Sequence, residues 1–84
     1  MVVRMMKENP MDWRERISVD PDVCHGKACI RGSRVMVSVI LDNLGAGESP
    51  EAIARDYRIE VEDVRAALMY AGELAREQVV ALPA

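Results

Sequence analysis

Two thiols and the single imidazole of the chain lie close together, at Cys24, His25 and Cys29. Zinc favours Cys and His ligands at such short spacing, and a neighbouring thiol and imidazole can act as nucleophile and base. The sequence has no further Cys or His to complete a tetrahedral zinc site, so a metal would have to be shared across a dimer. We therefore interpret these residues as structural, and we expect no metal, no cofactor and no enzymatic activity.

A basic segment overlaps this cluster. Its cationic and hydroxyl side chains are Lys27, Arg31, Ser33 and Arg34. Arginines that alternate along a β-ribbon can contact DNA in a groove or hold phosphate groups. In the alternative interpretation, Arg31 and Arg34 flank a polar turn and form ion pairs with acids such as Asp20 or Asp42. The sequence alone leaves both interpretations open.

The charge of the whole chain argues against a simple nucleic-acid-binding protein. The formal net charge is −3, whereas DNA-binding domains usually carry a basic excess. The charge is uneven, because residues 1–34 carry a net +2 and residues 35–84 a net −5. The N-terminal part is therefore the better candidate for contact with phosphates.

Length and composition indicate one small domain. The chain has 84 residues, half of them hydrophobic, with six Met and no Phe. A core of this size is marginal without further support, and two Cys provide no disulfide framework, so we expect a homodimer. No apolar run approaches the ~20 residues that span a bilayer, and the charged N-terminus does not resemble a secretory leader. We therefore expect a cytoplasmic location.

The N-terminal part has the pattern of short strands and turns. Ile17–Asp20 alternates apolar and polar residues and stops before a proline, as a short strand does. Residues 28–30 and 34–37 flank a turn at Gly32, which predicts a tight hairpin with a positive φ at the glycine. We predict two or three short strands in this part of the chain.

The ends of the domain are set by changes in pattern. Residues 1–10 show no periodicity, so we expect a flexible tail there, followed by a single domain over residues 11–78 and an apolar tail over 79–84. We expect Trp13 to anchor the N-terminal segment on the helices.

From Val37 onward the apolar residues recur at helical spacing. Three helices are predicted, over residues 37–44, 50–57 and about 61–78. Gly45 and Gly47 end the first helix, and Ser49 followed by Pro50 begins the second. The residues expected on the buried faces are Val37, Ile40, Leu41, Leu44, Ile53, Tyr57, Val64, Ala67, Leu68, Ala71, Leu74 and Ala75.

The second and third predicted helices have the layout of a helix-turn-helix. The residues expected on the exposed start of the third helix are Glu60, Val61, Glu62, Asp63, Arg65 and Ala66. Carboxylates at this end would oppose phosphate, and only Arg65 suits contact with a base or a phosphate. The pair of helices is therefore either a major-groove-binding unit or a purely structural hairpin.

The C-terminal part offers candidates for a protein-binding surface. Tyr70 lies off the predicted inner stripe of the third helix, and the tail that follows is apolar. The candidates for partner binding are Tyr70, Leu74, Val79, Val80 and Leu82.

Several motifs together resemble the family known as domain of unknown function 433. They are MDWRERI at 11–17, HGKACIRGSR at 25–34, VSVIL at 37–41, AGESPE at 46–51 and EDVRAAL at 62–68. The resemblance covers about residues 11–77, and the segment 26–34 is its most specific part. It implies a small β-hairpin followed by a homeodomain-like unit of three helices, in most cases dimeric. It also implies similarity to VapB-type antitoxins, which accompany a PIN-like ribonuclease toxin.

The chain departs from the family pattern at three positions. Ala28 replaces a frequent Pro, Ser33 stands for Thr, and Glu60 stands where a Thr would cap the third helix. The last change is expected to weaken the cap and to add negative charge at the end that would face a DNA groove.

The leading hypothesis from the sequence is a non-enzymatic, dimeric, antitoxin-like regulator. It would bind operator DNA through Lys27, Arg31, Ser33, Arg34 and Arg65, and hold a PIN-like toxin through the third helix and the apolar tail. The alternative is a protein-interaction module in which the helix-turn-helix is only a scaffold and no DNA is bound.

Overall fold

The computed structural model describes residues 12–77, so the predicted tails, including Val79, Val80 and Leu82, lie outside the described residues. The elements in chain order are β1 (Ile17–Ser18), β2 (Cys29–Ile30), α1 (Val37–Gly45), α2 (Pro50–Tyr57) and α3 (Val61–Glu77), with a single 3₁₀ turn at Trp13–Glu15. A left-handed turn lies at Cys24–Gly26, where φ is 53°, 56° and 79° in order. None of the helices in this range has the length and apolar character needed to cross a membrane.

The two strands form a short antiparallel hairpin in front of the helices. Ile17 of β1 lies opposite Ile30 of β2, and both side chains are buried in the core. The predicted hairpin between residues 28–30 and 34–37 is confirmed as a single antiparallel bridge between Cys29 and Met36. The N–H of Ile30 donates to the carbonyl of Val35 at 2.9 Å, and the N–H of Val37 donates to that of Ala28 at 3.0 Å.

The predicted fold of a short N-terminal β-hairpin followed by three helices is confirmed. Local signals account for the helix ends. The Ser49 hydroxyl accepts a hydrogen bond from the main-chain N–H of Ala52 at 3.1 Å, which caps α2. At the other end of α2, Arg58 adopts a left-handed conformation with φ 59°, a role that glycine usually fills.

The core lies between the hairpin and the inner faces of the helices. Its buried residues are Ile17, Ile30, Val37, Ile40, Ile53, Val64, Ala66 and Ala67. Tyr57 was predicted to be buried but is 37% exposed, because its hydroxyl lies at the surface and accepts a hydrogen bond from the Asn43 side chain at 3.1 Å.

The predicted buried stripe of α3 is displaced around the helix. Leu68 is 47% exposed and Leu74 is 40% exposed, and Ala75 is also exposed, whereas Ala66 is fully buried. The cause is the N-terminal segment, since Trp13–Glu15 and β1 both pack on α3. They cover the side of α3 that the sequence pattern left to solvent.

Candidate functional site

Arg31, a predicted DNA contact, ties the hairpin to the segment before it. Its guanidinium donates hydrogen bonds to the main-chain carbonyls of Glu15 at 3.0 Å, Arg14 at 3.2 Å and Ile17 at 2.9 Å. Arg31 therefore has a structural role that neither interpretation from the sequence anticipated.

Ser33 is also used within the fold. Its hydroxyl donates to the carbonyl of Ile30 at 2.8 Å and accepts from the N–H of Val35 at 3.0 Å. The expected turn at Gly32 is confirmed by its φ of +80°. Ser33 therefore holds the turn together, and Arg31 ties the hairpin to the N-terminal segment.

Lys27 and Arg34 are exposed cations in the same region. Among residues 12–77, neither arginine of the hairpin forms an ion pair with Asp20 or Asp42, so that predicted pairing is wrong. Lys27 and Arg34 are the two residues of the basic segment whose side chains remain available to an anionic partner.

The cysteines are engaged with the main chain of the same turn. The Cys24 thiol lies 3.5 Å from the carbonyl oxygen of Arg34, and the Cys29 thiol lies 3.6 Å from that of Ser33. Desolvation, followed by the neighbouring Cys29 thiol, raises the pKa of the Cys24 thiol. Within residues 12–77, no three His, Cys, Asp or Glu side chains are grouped so that they could hold a metal ion.

The start of α3 carries a partly buried ion pair. Asp63 is 8% exposed; its carboxylate accepts from the Arg16 guanidinium at 3.0 Å and from the main-chain N–H of Glu60 at 2.9 Å. Asp63 raises the pKa of Arg16, and Glu60, 3.2 Å from the same guanidinium, adds to the effect. The expected exposure of Asp63 and Ala66 is wrong, because the N-terminal segment covers both residues. Asp63, the third residue of α3, accepts from the N–H of Glu60, the N-cap residue, which is one of the two contacts of a capping box.

A groove of about 620 Å³ runs along the solvent-facing side of α3. Its lining residues are Asp12, Trp13, Arg14, Arg65, Leu68, Met69, Gly72, Glu73 and Arg76. Leu68 and Met69 are 47% and 39% exposed. The groove therefore combines an apolar centre with charges of both signs at its edges.

Aromatic packing supports one wall of this groove. The rings of Trp13 and Tyr70 lie 5.3 Å apart between centroids, at an angle of 59°. The Arg14 guanidinium lies 4.6 Å above the Trp13 ring, in the range of a cation–π contact. The expected anchoring of the N-terminal segment by Trp13 is confirmed, and Tyr70, a predicted partner contact, is half-buried beneath it.

The other exposed apolar residue of α3 lies on a different side of the helix. Leu74 follows Met69 by five residues, which places it about 140° away around the helix axis. Leu74 lies two turns after the buried Ala67 on the same side of α3, which we call the buried row. It extends this row beyond the end of the core and is 40% exposed. The structure thus separates Arg65, which lines the groove, from Leu74.

Sequence reasoning missed two features of this region. The groove itself depends on Trp13 and Arg14 packing beside α3, and no local periodicity encodes that packing. The ion pair of Arg16 with Asp63 joins residues far apart in the sequence. The alternation of apolar and charged residues along the exposed side of α3 was the one available signal for the groove.

The fold defines a small, mainly α-helical domain in which a two-stranded hairpin precedes three helices. A family model described as protein of unknown function, DUF433, matches residues 17–71. The chain belongs to this family. None of the curated proteins matches the sequence.

Two solved structures are similar to the chain. A DUF433 member protein from Anabaena variabilis has a TM-score of 0.67 and 27% identity, over 74% of this chain and 62% of its own. Rv2018 from Mycobacterium tuberculosis has a TM-score of 0.60 and 32% identity, over 67% of this chain and 27% of its own. The chain therefore spans less than two thirds of the length of either solved chain.

Proposed function

We propose that this protein is an antitoxin-like regulator that binds a protein partner through α3, and that the helix-turn-helix layout of α2 and α3 is a scaffold and does not bind DNA. The proposal rests on the location of the exposed hydrophobic side chains. Of the five large hydrophobic residues exposed within residues 12–77, three are on α3, namely Leu68, Met69 and Leu74. Leu68 and Met69 lie on one side of α3 and Leu74 on another, and exposed apolar side chains of this kind are typical of surfaces that another protein covers.

The end of α3 near Leu74 is the proposed site for a PIN-like ribonuclease. Leu74 extends the buried row of the helix past the core, so its side chain is half-covered on the protein side and open beyond it. The sequence of residues 79–84 is VVALPA, which contains no charged side chain. An apolar partner surface would complete the burial of the row that ends at Leu74.

Direct DNA binding is the second candidate, favoured by the geometry of α2 and α3. A short helix, a turn at Arg58 and a longer helix have the layout of a helix-turn-helix. The exposed cations Lys27, Arg34 and Arg65 would supply the phosphate contacts. Against this candidate, Glu60 and Glu62 are exposed at the end of α3 that would enter a groove, and Arg31 is engaged by the main chain.

Pull-downs of the tagged protein from its host, run in parallel with and without nuclease, test the proposal. We expect a PIN-like ribonuclease to be retained by the wild type and lost with Leu74→Glu, which places a carboxylate in the apolar row. Val19→Glu is the matched control, because Val19 is 59% exposed and lies outside α3. Retention of DNA alone, sensitive to nuclease and salt, would contradict the proposal and support the second candidate.

A further inference from the structure

We propose that the solvent-facing side of α3 binds α3 of a second copy of this chain, antiparallel, about a two-fold axis at Met69. We call this side the outer face and define it by Glu62, Arg65, Met69, Gly72, Glu73 and Arg76. The inference goes beyond the proposed function, because the outer face lies on a different side of the helix from Leu74.

The spacing along the outer face is that of a seam between two helices. Glu62, Arg65, Met69, Gly72 and Arg76 follow one another at alternating intervals of three and four residues. This interval keeps one stripe of a helix against a partner helix when the two helices wind slightly around each other. The α3 helix has 17 residues, so the stripe extends over nearly its whole length, about 25 Å.

The charges of the outer face are complementary to themselves. In an antiparallel pair centred on Met69, residues equally distant from Met69 on opposite sides lie across from each other. Arg65 and Glu73 are each four residues from Met69, and Glu62 and Arg76 are each seven residues from it. Each of these pairs joins opposite charges, and the two-fold symmetry repeats it, which gives four ion pairs across the seam.

A parallel pair of helices would place like charges together. Glu62 would face Glu62 and Arg65 would face Arg65 of the second copy, and such contacts are destabilising. The charge pattern therefore selects one orientation as well as one register.

The centre of the outer face is suited to close contact. Met69 is 39% exposed on the axis, with Leu68 beside it at 47% exposure, and a flexible thioether adapts to an opposing copy of itself. At Gly72, a Cβ atom would meet only the tip of the Arg76 side chain, at 4.0 Å. The missing side chain leaves room for Leu68 of the second copy.

The cations and acids of this face are free to exchange partners. Within residues 12–77, Arg65 has no ion pair. Arg76 pairs with Glu73 at 3.2 Å, but these side chains are 71% and 37% exposed, so the pair is weak and its replacement costs little. The groove also carries Asp12 and Glu73 among its arginines, which favours a partner of mixed charge over a uniformly anionic nucleic acid or membrane.

Charge exchange tests the register. Arg65→Glu and Glu73→Arg each place like charges twice across the seam, so each variant alone is expected to raise the dimer dissociation constant about tenfold. When the two variants are mixed, the carboxylate introduced at position 65 of one copy faces the guanidinium introduced at position 73 of the other. The unaltered Arg65 and Glu73 also face each other, so a heterodimer of wild-type affinity should form. Sedimentation velocity measures each variant, and energy transfer between differently labelled copies measures the mixture.

The control is Arg55→Glu, which reverses an exposed charge on α2, outside the groove. Circular dichroism establishes that every variant is folded. Wild-type protein that stays monomeric, single variants that dimerise as well as the control, or a mixture that fails to regain affinity would each overturn the proposal. Leu74→Glu is expected to remain dimeric, so loss of the toxin partner and loss of the dimer are separate results.

Discussion

At the scale of single residues, Arg31 shows how a charged side chain in a basic segment can be committed to the fold. Its guanidinium holds three carbonyl oxygens of residues 14–17, all within 3.2 Å. The planar fork of arginine reaches them together, which a lysine ammonium does not do. The charge is therefore used to join the N-terminal segment to the hairpin.

We expect Arg31→Lys to lower the free energy of unfolding by about 1–2 kcal/mol, because it keeps the charge but loses most of these hydrogen bonds. Urea denaturation measures the change. The control is Arg34→Lys, which alters an exposed arginine of the same hairpin and should change stability by less than about 0.5 kcal/mol. Equal stability of both variants would show that the main-chain contacts of Arg31 contribute little.

At the scale of secondary structure, α2 ends in a backbone conformation that is energetically unfavourable for its residue. Arg58 has φ 59° and ψ 44°, which is unfavourable for a residue with a Cβ atom by about 1 kcal/mol or more. The N–H of Ile59 donates to the carbonyl of Ala54 at 3.0 Å, so the turn is a regular helix end in which glycine is normally preferred.

We therefore expect Arg58→Gly to raise the free energy of unfolding by up to about 1 kcal/mol. Arg55→Gly, at an exposed position inside α2, should lower it by about 1 kcal/mol. Thermal or urea unfolding distinguishes the two. A loss of stability in Arg58→Gly would mean that the Arg58 side chain stabilises the fold by more than its left-handed backbone conformation destabilises it.

The three helices were predictable because their signals are local. Ser49 before Pro50 sets the start of α2, and a change from alternating to helical periodicity sets the start of α1 at Val37. The face of α3 that is buried was not predictable, because it depends on Trp13 packing from a distant part of the sequence. The same packing buried Ala66 and left Leu68 exposed, so the groove could not be derived from the periodicity of α3 alone.

The candidate binding residues were predicted unevenly for a related reason. Residue type and spacing identified one polar group, which consists of Lys27, Arg31, Ser33 and Arg34. Spacing does not show which of these side chains form hydrogen bonds to the main chain. Arg31 and Ser33 are held by carbonyl and N–H groups of the hairpin. Such hydrogen bonds depend on the pairing of β1 with β2, which two-residue strands encode only weakly.

At the scale of the whole molecule, the distribution of charge bears on whether DNA is a ligand. The net charge is −3, and Glu60 and Glu62 are exposed beside Arg65 on α3. A duplex that approached this end of the helix would meet two carboxylates for one guanidinium. Since phosphate contacts provide most of the affinity for DNA, binding by the isolated protein should be weak.

We expect fluorescence anisotropy to show no binding of the wild type to a labelled duplex from its own upstream region at physiological salt. A variant with Glu60→Lys and Glu62→Lys replaces two negative charges by two positive ones and should bind non-specifically, with an affinity that falls steeply as salt increases. This variant shows that the assay detects contact at the start of α3. Tight, sequence-dependent binding by the wild type, weakened by Arg34→Ala with a salt slope lower by about one, would instead make DNA the ligand of the hairpin.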